Sequence, residues 1–82
     1  MEVFKTPLEG CIVLSPNIFS DDRGHFLESY KKILIDDFLG YEVEFVQDNE
    51  SFSSKGILRG LHFQKGVYAQ AKLVRVVQGA VL

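Results

Sequence analysis

The chain has 82 residues, of which 46% are hydrophobic and 24% charged, a balance typical of one small globular domain. Nine Lys and Arg residues against eleven Asp and Glu residues give a net charge of −2, which argues against nucleic-acid binding. Cys11 is the only cysteine, so an internal disulfide is excluded, and no Cys/His cluster predicts a structural metal site. A chain of this length can bury only a small hydrophobic core, so we expect a partner subunit to stabilise it.

The two ends of the chain bear on its location and completeness. No apolar run approaches the roughly 20 residues of a membrane span, and the acidic start Met1-Glu2-Val3 does not resemble a signal peptide. We therefore expect a cytoplasmic protein that contacts no membrane. Residues 80–82 begin another apolar strand, which complete proteins normally protect with charge or proline. We interpret residues 1–82 as the N-terminal part of a single domain.

Apolar runs and alternation predict short strands along most of the chain, at residues 11–14, 25–30, 42–48, 57–64 and 70–77. The strand over 25–30 follows a turn at 20–24 and places Phe26, Glu28 and Tyr30 on one face. Helical spacing is confined to residues 31–39, and Gly40 predicts the end of that helix. Many short strands separated by Gly-containing turns predict an all-β sandwich or barrel with one short helix.

Residues 55–75 contain the densest cluster of side chains capable of chemistry. His62 lies in an apolar predicted strand, where a histidine is more often a hydrogen-bonded core residue than a catalytic one. Arg59 and Lys72 favour a functional interpretation, because lysine is seldom buried unpaired. A lysine beside a histidine in an apolar barrel would bind an anion or a developing oxyanion. Arg59 and His62 differ in strand parity, so a bulge at Gly60 is expected if both face one cavity.

The spacing of Gly56, His62, Gln64, Lys72 and Gly79 resembles the first motif of the cupins. In metal-binding cupins a second histidine and a glutamate provide ligands, and here Gln64 and Lys72 stand in those two positions. Lysine is a cation and repels a metal ion. The resemblance therefore implies an incomplete cupin-type double-stranded β-helix, or jelly roll, that uses neither metal nor cofactor and carries a proton-transfer site.

The order and spacing of four segments resemble one cupin family, the dTDP-4-dehydrorhamnose 3,5-epimerases. The segments are residues 22–28, 45–49, 53–64 and 70–76. The family's proteins are longer, so the chain resembles their N-terminal half. The resemblance implies an isomerase that inverts C-3 and C-5 of a 4-keto-6-deoxy sugar attached to dTDP, in dTDP-rhamnose-type deoxysugar biosynthesis. It also implies a homodimer with exchanged N-terminal strands.

Residue roles follow from the same resemblance. His62 would be the proton acceptor, and Lys72 would stabilise the enolate oxygen. Six further positions match the family's substrate-binding residues: Arg23, Phe26, Glu28, Gln47, Asn49 and Arg59. Arg59 would bind the diphosphate or sugar region, because a guanidinium matches phosphate oxygens in a bidentate geometry.

Each binding assignment has an ordinary structural alternative. Arg23 with Gly24 is equally consistent with a simple turn, and Phe26 with a core aromatic residue. Glu28 also fits a solvated strand position, and Asn49 could end a strand through turn hydrogen bonds.

The family's opposite-face acid is a tyrosine, and an aspartate orients its histidine; both belong to the half that this chain does not resemble. Tyr30, Tyr41 and Tyr68 do not occupy the tyrosine's motif. A histidine without an orienting partner has no fixed tautomer, which lowers the rate by orders of magnitude. The alternative interpretation is therefore a catalytically inactive remnant that binds a nucleotide sugar or only self-associates.

Overall fold

Two antiparallel hairpins contain all of the regular sheet in the structure, a computed structural model that describes residues 1–82. The elements in chain order are β1 (Glu2–Lys5), β2 (Ile12–Ser15), β3 (Ile18–Asp21), β4 (Gly24–Leu27), α1 (Lys32–Leu39) and a 3-10 turn at Gly66–Tyr68. The chain divides into two compact units, Met1–Val43 and Glu44–Leu82. The strands and α1 all belong to the first unit, which is therefore the more regular of the two.

The first hairpin pairs β1 with β2, in a register that places Val3 opposite Leu14. The Thr6 hydroxyl closes the connection between the strands, because it donates to the Cys11 carbonyl over 2.8 Å and accepts the Leu8 N–H over 3.2 Å. The strand predicted over residues 11–14 is confirmed, displaced by one residue, while its partner β1 was not predicted.

The second hairpin pairs β3 with β4 and places Phe19 directly opposite Phe26. Its turn consists of Asp22 and Arg23, because Asp21 and Gly24 are the last paired residues. Gly24 has a φ of +141°, which residues with a side chain rarely adopt. The predicted turn over 20–24 and the start of the predicted strand over 25–30 are thus confirmed, but β3 itself reaches into the predicted turn.

Helix α1 confirms the helix expected over residues 31–39. Its one buried residue, Ile35, is 4% exposed and is also the only buried side chain in the whole chain. Gly40 ends the helix in the left-handed conformation with a φ of +78°, and its N–H donates to the Asp36 carbonyl over 2.9 Å. The single buried residue agrees with the thin core expected from the chain length.

A carboxylate on α1 fastens the segment that follows the helix. Asp36 accepts the Val43 backbone N–H over 2.9 Å and the Lys32 ammonium over 2.6 Å. Lys32 in turn donates to the Val43 carbonyl over 3.2 Å and lies 3.2 Å from the Glu42 carboxylate. We call these four residues the α1 clamp, since they hold residues 42–43 against one side of the helix.

The strands predicted over residues 42–48, 57–64 and 70–77 are not formed, and this part of the prediction is wrong. Alternation of polar and apolar residues indicates which side chains share a face, whereas a strand also needs a hydrogen-bonded partner. The backbone hydrogen bonds within residues 44–82 are all local, from Ile57 to Ser54, from Tyr68 to Lys65 and from Ala69 to Gly66. Without a ladder partner among these residues, the alternating segments stay irregular. The structure contains no helix with the length and apolar character that a membrane span requires.

Candidate functional site

Two hollows lie on the second hairpin, and both are lined by Phe19 and Phe26. The first hollow has a volume of about 280 Å³ and is also lined by Asp21, Arg23, Gly24 and His25. The second hollow has a volume of about 240 Å³ and is also lined by Met1, Asn17 and Glu28. Three predicted site residues therefore lie on this hairpin: Arg23 and Phe26 line the first hollow, and Phe26 and Glu28 line the second.

The position of the two phenylalanines follows from the strand register. Opposite residues of an antiparallel pair point to the same face, so Phe19 and Phe26 form one cross-strand aromatic pair. Their exposed fractions are 63% and 69%, so Phe26 is not the core residue of the alternative interpretation. An exposed aromatic pair beside a guanidinium can bind a planar, negatively charged ligand, with the rings stacking on its flat part.

The Arg23 guanidinium is already paired with a carboxylate. Arg23 donates from Nη2 to Asp21 Oδ2 over 2.6 Å and from Nε to the same oxygen over 3.2 Å. Its backbone N–H also donates to Asp21 Oδ1 over 2.9 Å, so Asp21 stabilises the turn as well. The hydrogen bonds from Arg23 hold the pKa of the Asp21 carboxyl below its usual range. Both side chains are exposed, so solvent screens the attraction between them. Another anion can therefore replace Asp21 at the Arg23 guanidinium.

In the second unit, the predicted amide pair is held together by one hydrogen bond. Gln47 Nε2 donates to Asn49 Oδ1 over 3.2 Å, and both side chains are exposed. This bond fixes the two amides as one polar group, with the carbonyl of Gln47 and the amide nitrogen of Asn49 still free for a ligand. The role of the two residues in recognising a nucleotide or sugar stays a prediction.

Arg59 is held by the serine-rich loop that precedes it. Its Nε donates to the Ser53 hydroxyl over 2.7 Å, and its Nη2 donates to the Phe52 carbonyl over 2.9 Å. No carboxylate contacts this guanidinium, so its charge is uncompensated, in contrast to that of Arg23.

The two predicted catalytic residues, His62 and Lys72, are exposed and make no hydrogen bond or ion pair. The structure does not join them directly. Residues 57–64 form no strand, so strand alternation does not decide whether Arg59 and His62 face the same side, and no strand bulge is formed at Gly60. The φ of Gly60 is +126°, which lies outside the strand region. The roles of these residues therefore remain predictions.

Three side chains that lie beside predicted site residues were not themselves predicted: Phe19 and Asp21 in the first unit, and Ser53 in the second. Phe19 was missed because residues 18–19 belong to no predicted element and residues 20–21 to the predicted turn, although the run Ile18-Phe19 before Asp21 is a strand signal. Asp21 precedes Arg23 by two residues, the spacing at which an aspartate accepts the backbone N–H of a turn. Ser53 gave no signal of its own, because its contact with Arg59 depends on the fold of the loop.

Known proteins are similar to almost the whole chain. A family model described as dTDP-4-dehydrorhamnose 3,5-epimerase matches residues 5–82. An enzyme of that name from Escherichia coli K12 is 56% identical over 81 residues, which are 99% of this chain and 44% of that protein. One from Methanothermobacter thermautotrophicus is 48% identical over 77 residues, which are 94% of this chain and 40% of that protein.

A solved structure is similar as well. The crystal structure of dTDP-4-dehydrorhamnose 3,5-epimerase from Elizabethkingia anophelis NUHP1 superposes with a TM-score of 0.76 and is 48% identical, covering 84% of this chain and 38% of that one. Its fold is of the cupin type, so the all-β fold class with one short helix is confirmed, in incomplete form. The chain spans less than half the length of these relatives.

Proposed function

Because the chain belongs to the dTDP-4-dehydrorhamnose 3,5-epimerase family, we propose that it provides the proton-abstracting and nucleotide-contacting part of such an isomerase. The substrate would be a dTDP-linked 4-keto-6-deoxy sugar, inverted at C-3 and C-5 in dTDP-rhamnose-type deoxysugar biosynthesis. The observation that carries the proposal is the second hairpin, where Arg23, Phe26 and Glu28 line two adjoining hollows at matching family positions.

The chemistry requires a base and a donor to an oxygen. Both target protons are α to the C-4 carbonyl, so their removal leaves an enolate with its charge on the C-4 oxygen. His62 would take the proton from carbon, and the Lys72 ammonium would stabilise the oxygen as the negative charge develops. Return of a proton to the opposite face of the same carbon then inverts the stereocentre. Every step is a proton transfer, so we propose that no metal or cofactor takes part.

The nucleotide would be bound by the remaining predicted residues. The thymine ring is planar and would stack on Phe26, beside Arg23 of the same hairpin. By the family resemblance, Arg59 would bind the diphosphate or sugar region. Glu28 and the Gln47–Asn49 pair would accept and donate hydrogen bonds to the ring and sugar groups. This assignment combines the family match with side chains that are all exposed and therefore accessible to a ligand.

We propose a cytoplasmic homodimer with exchanged N-terminal strands. The exposed apolar residues of the second hairpin support it, because Ile18, Phe19 and Phe26 are each more than 60% exposed. Apolar surface of this kind is normally covered by another chain or a ligand. Neither nucleic acid nor a membrane is among the proposed partners, since the net charge is −2 and no basic stripe is present.

A second candidate is a protein that binds the nucleotide sugar without turning it over. The observation that favours it is the state of His62 and Lys72, which have no hydrogen-bond or ionic partner to fix their orientation. An unoriented histidine loses most of its value as a base. In this case the residues matched by the family resemblance would bind the nucleotide, and the sugar would leave unchanged.

One experiment separates the two candidates. The chain is incubated with the dTDP-linked 4-keto sugar in deuterium oxide, and deuterium at C-3 and C-5 is followed by NMR. Exchange that His62→Ala abolishes supports the isomerase, and Val67→Ala, which changes an exposed residue with no proposed role, is the matched control. Binding without exchange supports the non-catalytic protein, and the absence of both binding and exchange rejects both candidates.

A further inference from the structure

The two hydrogen bonds of Arg59 lie on one edge of its guanidinium. Nε and Nη2 form that edge, and they donate to Ser53 Oγ over 2.7 Å and to the Phe52 carbonyl over 2.9 Å. A guanidinium has five N–H donors in a rigid plane. With one edge occupied, the donors left over are those of Nη1 and the second hydrogen of Nη2, which together form the outer edge. That edge can bind two oxygens of one phosphate group.

The loop around Ser53 is folded so that it can make this contact. Ser53 and Arg59 are six residues apart, and the chain reverses between them at a turn in which the Ile57 N–H donates to the Ser54 carbonyl over 3.3 Å. The contact is therefore local to one loop and does not depend on any other part of the molecule.

The contact with Ser53 and Phe52 lowers the entropic cost of ligand binding, because it fixes the orientation of the Arg59 side chain in advance. A free arginine side chain samples many rotamers, and immobilising it on binding a ligand opposes affinity. A side chain already fixed by Ser53 and Phe52 loses less freedom when an anion arrives. Arg59 also has no carboxylate partner that a phosphate would have to displace, unlike Arg23 beside Asp21.

We infer that Ser53 is a positioning residue, which holds Arg59 by its inner edge and so presents the outer edge to a phosphate group. The inference rests on the proposed function in that a nucleoside diphosphate is the ligand expected there. Ser53 itself need not touch the ligand. Its hydroxyl accepts from Arg59 and retains its own hydrogen for another acceptor.

The test uses the full chain and inorganic pyrophosphate, with the Arg59 Nε–H signal followed by NMR at constant ionic strength. We expect the wild-type signal to exchange slowly with solvent and to shift on addition of pyrophosphate. Ser53→Ala should accelerate that exchange and weaken pyrophosphate binding about tenfold, as for loss of one hydrogen bond to a charged group. Ser53→Thr retains the hydroxyl and should restore both properties. Ser54→Ala, one residue along the same loop, should resemble the wild type.

The result that overturns the inference is equal pyrophosphate binding by the wild type and Ser53→Ala, or no response of Arg59 to pyrophosphate in the wild type. Failure of Ser53→Thr to restore binding would also overturn it, because the hydroxyl would then not be the relevant group. The proposed function is decided separately by the deuterium exchange of the sugar nucleotide. A chain that binds pyrophosphate through Arg59 but exchanges no deuterium supports the inference and rejects the isomerase.

Discussion

Phe19 and Phe26 lie directly opposite each other in the β3–β4 register, and each has more than half of its surface exposed. Residues paired in this way have Cβ atoms about 4.5–5.5 Å apart, close enough for their rings to interact. Both phenylalanines line one hollow together with Arg23 and a second hollow together with Glu28. This pair makes the second hairpin the best-defined part of the candidate site, and it can be tested directly.

Phe26→Ala should weaken binding of thymidine diphosphate to the chain. Stacking of a base on an aromatic ring contributes about 1–3 kcal/mol, so we expect a loss of affinity of roughly tenfold or more. Phe26→Leu keeps apolar volume but removes the ring, so its affinity should lie between those of the wild type and Phe26→Ala. Calorimetric titration measures the effect, with Phe4→Ala as the matched control, since Phe4 is a 48% exposed aromatic residue on β1 that lines neither hollow. An unchanged affinity for Phe26→Ala would remove stacking from the proposal.

Asp21→Asn should strengthen binding of the same nucleotide a few-fold. The substitution removes the negative charge that competes for Arg23, while the amide oxygen can still accept the turn N–H. Asp22→Asn is the control, because it removes an equal charge one residue away that does not contact the guanidinium. If the two variants gain the same affinity for the nucleotide, the cause is the overall negative charge of the hairpin. The ion pair between Asp21 and Arg23 is then not the cause.

The parts of the fold predicted correctly are those specified by neighbouring residues. The helix over 31–39 and its end at Gly40 depend on periodicity and on one residue with a positive φ, both visible in the sequence. The turn before Gly24 is local in the same sense. The strands expected over 57–64 and 70–77 needed partners that alternation does not identify, so the structure there could not be predicted from these residues.

For the site, the sequence indicated residue types more successfully than contacts. Arg23, Phe26 and Glu28 were matched by resemblance, and the structure places them at adjoining hollows. The ion pair with Asp21 and the support of Arg59 by Ser53 depend on turn and loop geometry, which residue spacing alone does not determine. No structural contact joins His62 with Lys72, so their catalytic roles stay predictions.

The α1 clamp should weaken in acid. Hydrogen bonds from the Lys32 side chain and then from the Val43 N–H hold the pKa of Asp36 below its usual range. A carboxyl whose pKa is lower in the folded than in the unfolded state stabilises the fold at neutral pH. That contribution is lost as the pH falls below about 4, through the folded-state pKa. Hydrogen exchange of the Val43 amide, measured against pH by NMR, should accelerate over that range.

Variants of the clamp distinguish its charge from its geometry. Asp36→Asn should remove the acid dependence while keeping an acceptor for the Val43 N–H, and Asp36→Ala should expose that amide at every pH. Asp37→Asn changes the next residue of the same helix, which makes no ion pair, and should leave the profile of the wild type. Acid-induced exchange that persists unchanged in Asp36→Asn would contradict this account.

Ile35→Ala should cost the first unit much of its stability. Removing a buried isoleucine to alanine costs about 2–5 kcal/mol in ordinary cores, and this chain has no other buried side chain to compensate. We expect a large loss of the helical circular-dichroism signal and an earlier urea transition. Ile33→Ala is the matched control, since Ile33 lies on the same helix and is 59% exposed. Equal effects of the two substitutions would show that helix propensity, and not burial, determines the stability.

The contacts of the α1 clamp join residues at most eleven positions apart along the chain, from Lys32 to Val43. Closing so short a loop restricts few backbone angles, and loops of about ten residues close in about 10–100 ns. Residues 32–43 are therefore expected to become ordered early when the chain folds, with the helix and its returning segment forming as one event. A temperature-jump measurement should give the wild type a fast helical phase that Asp36→Ala slows or abolishes and Asp37→Asn retains.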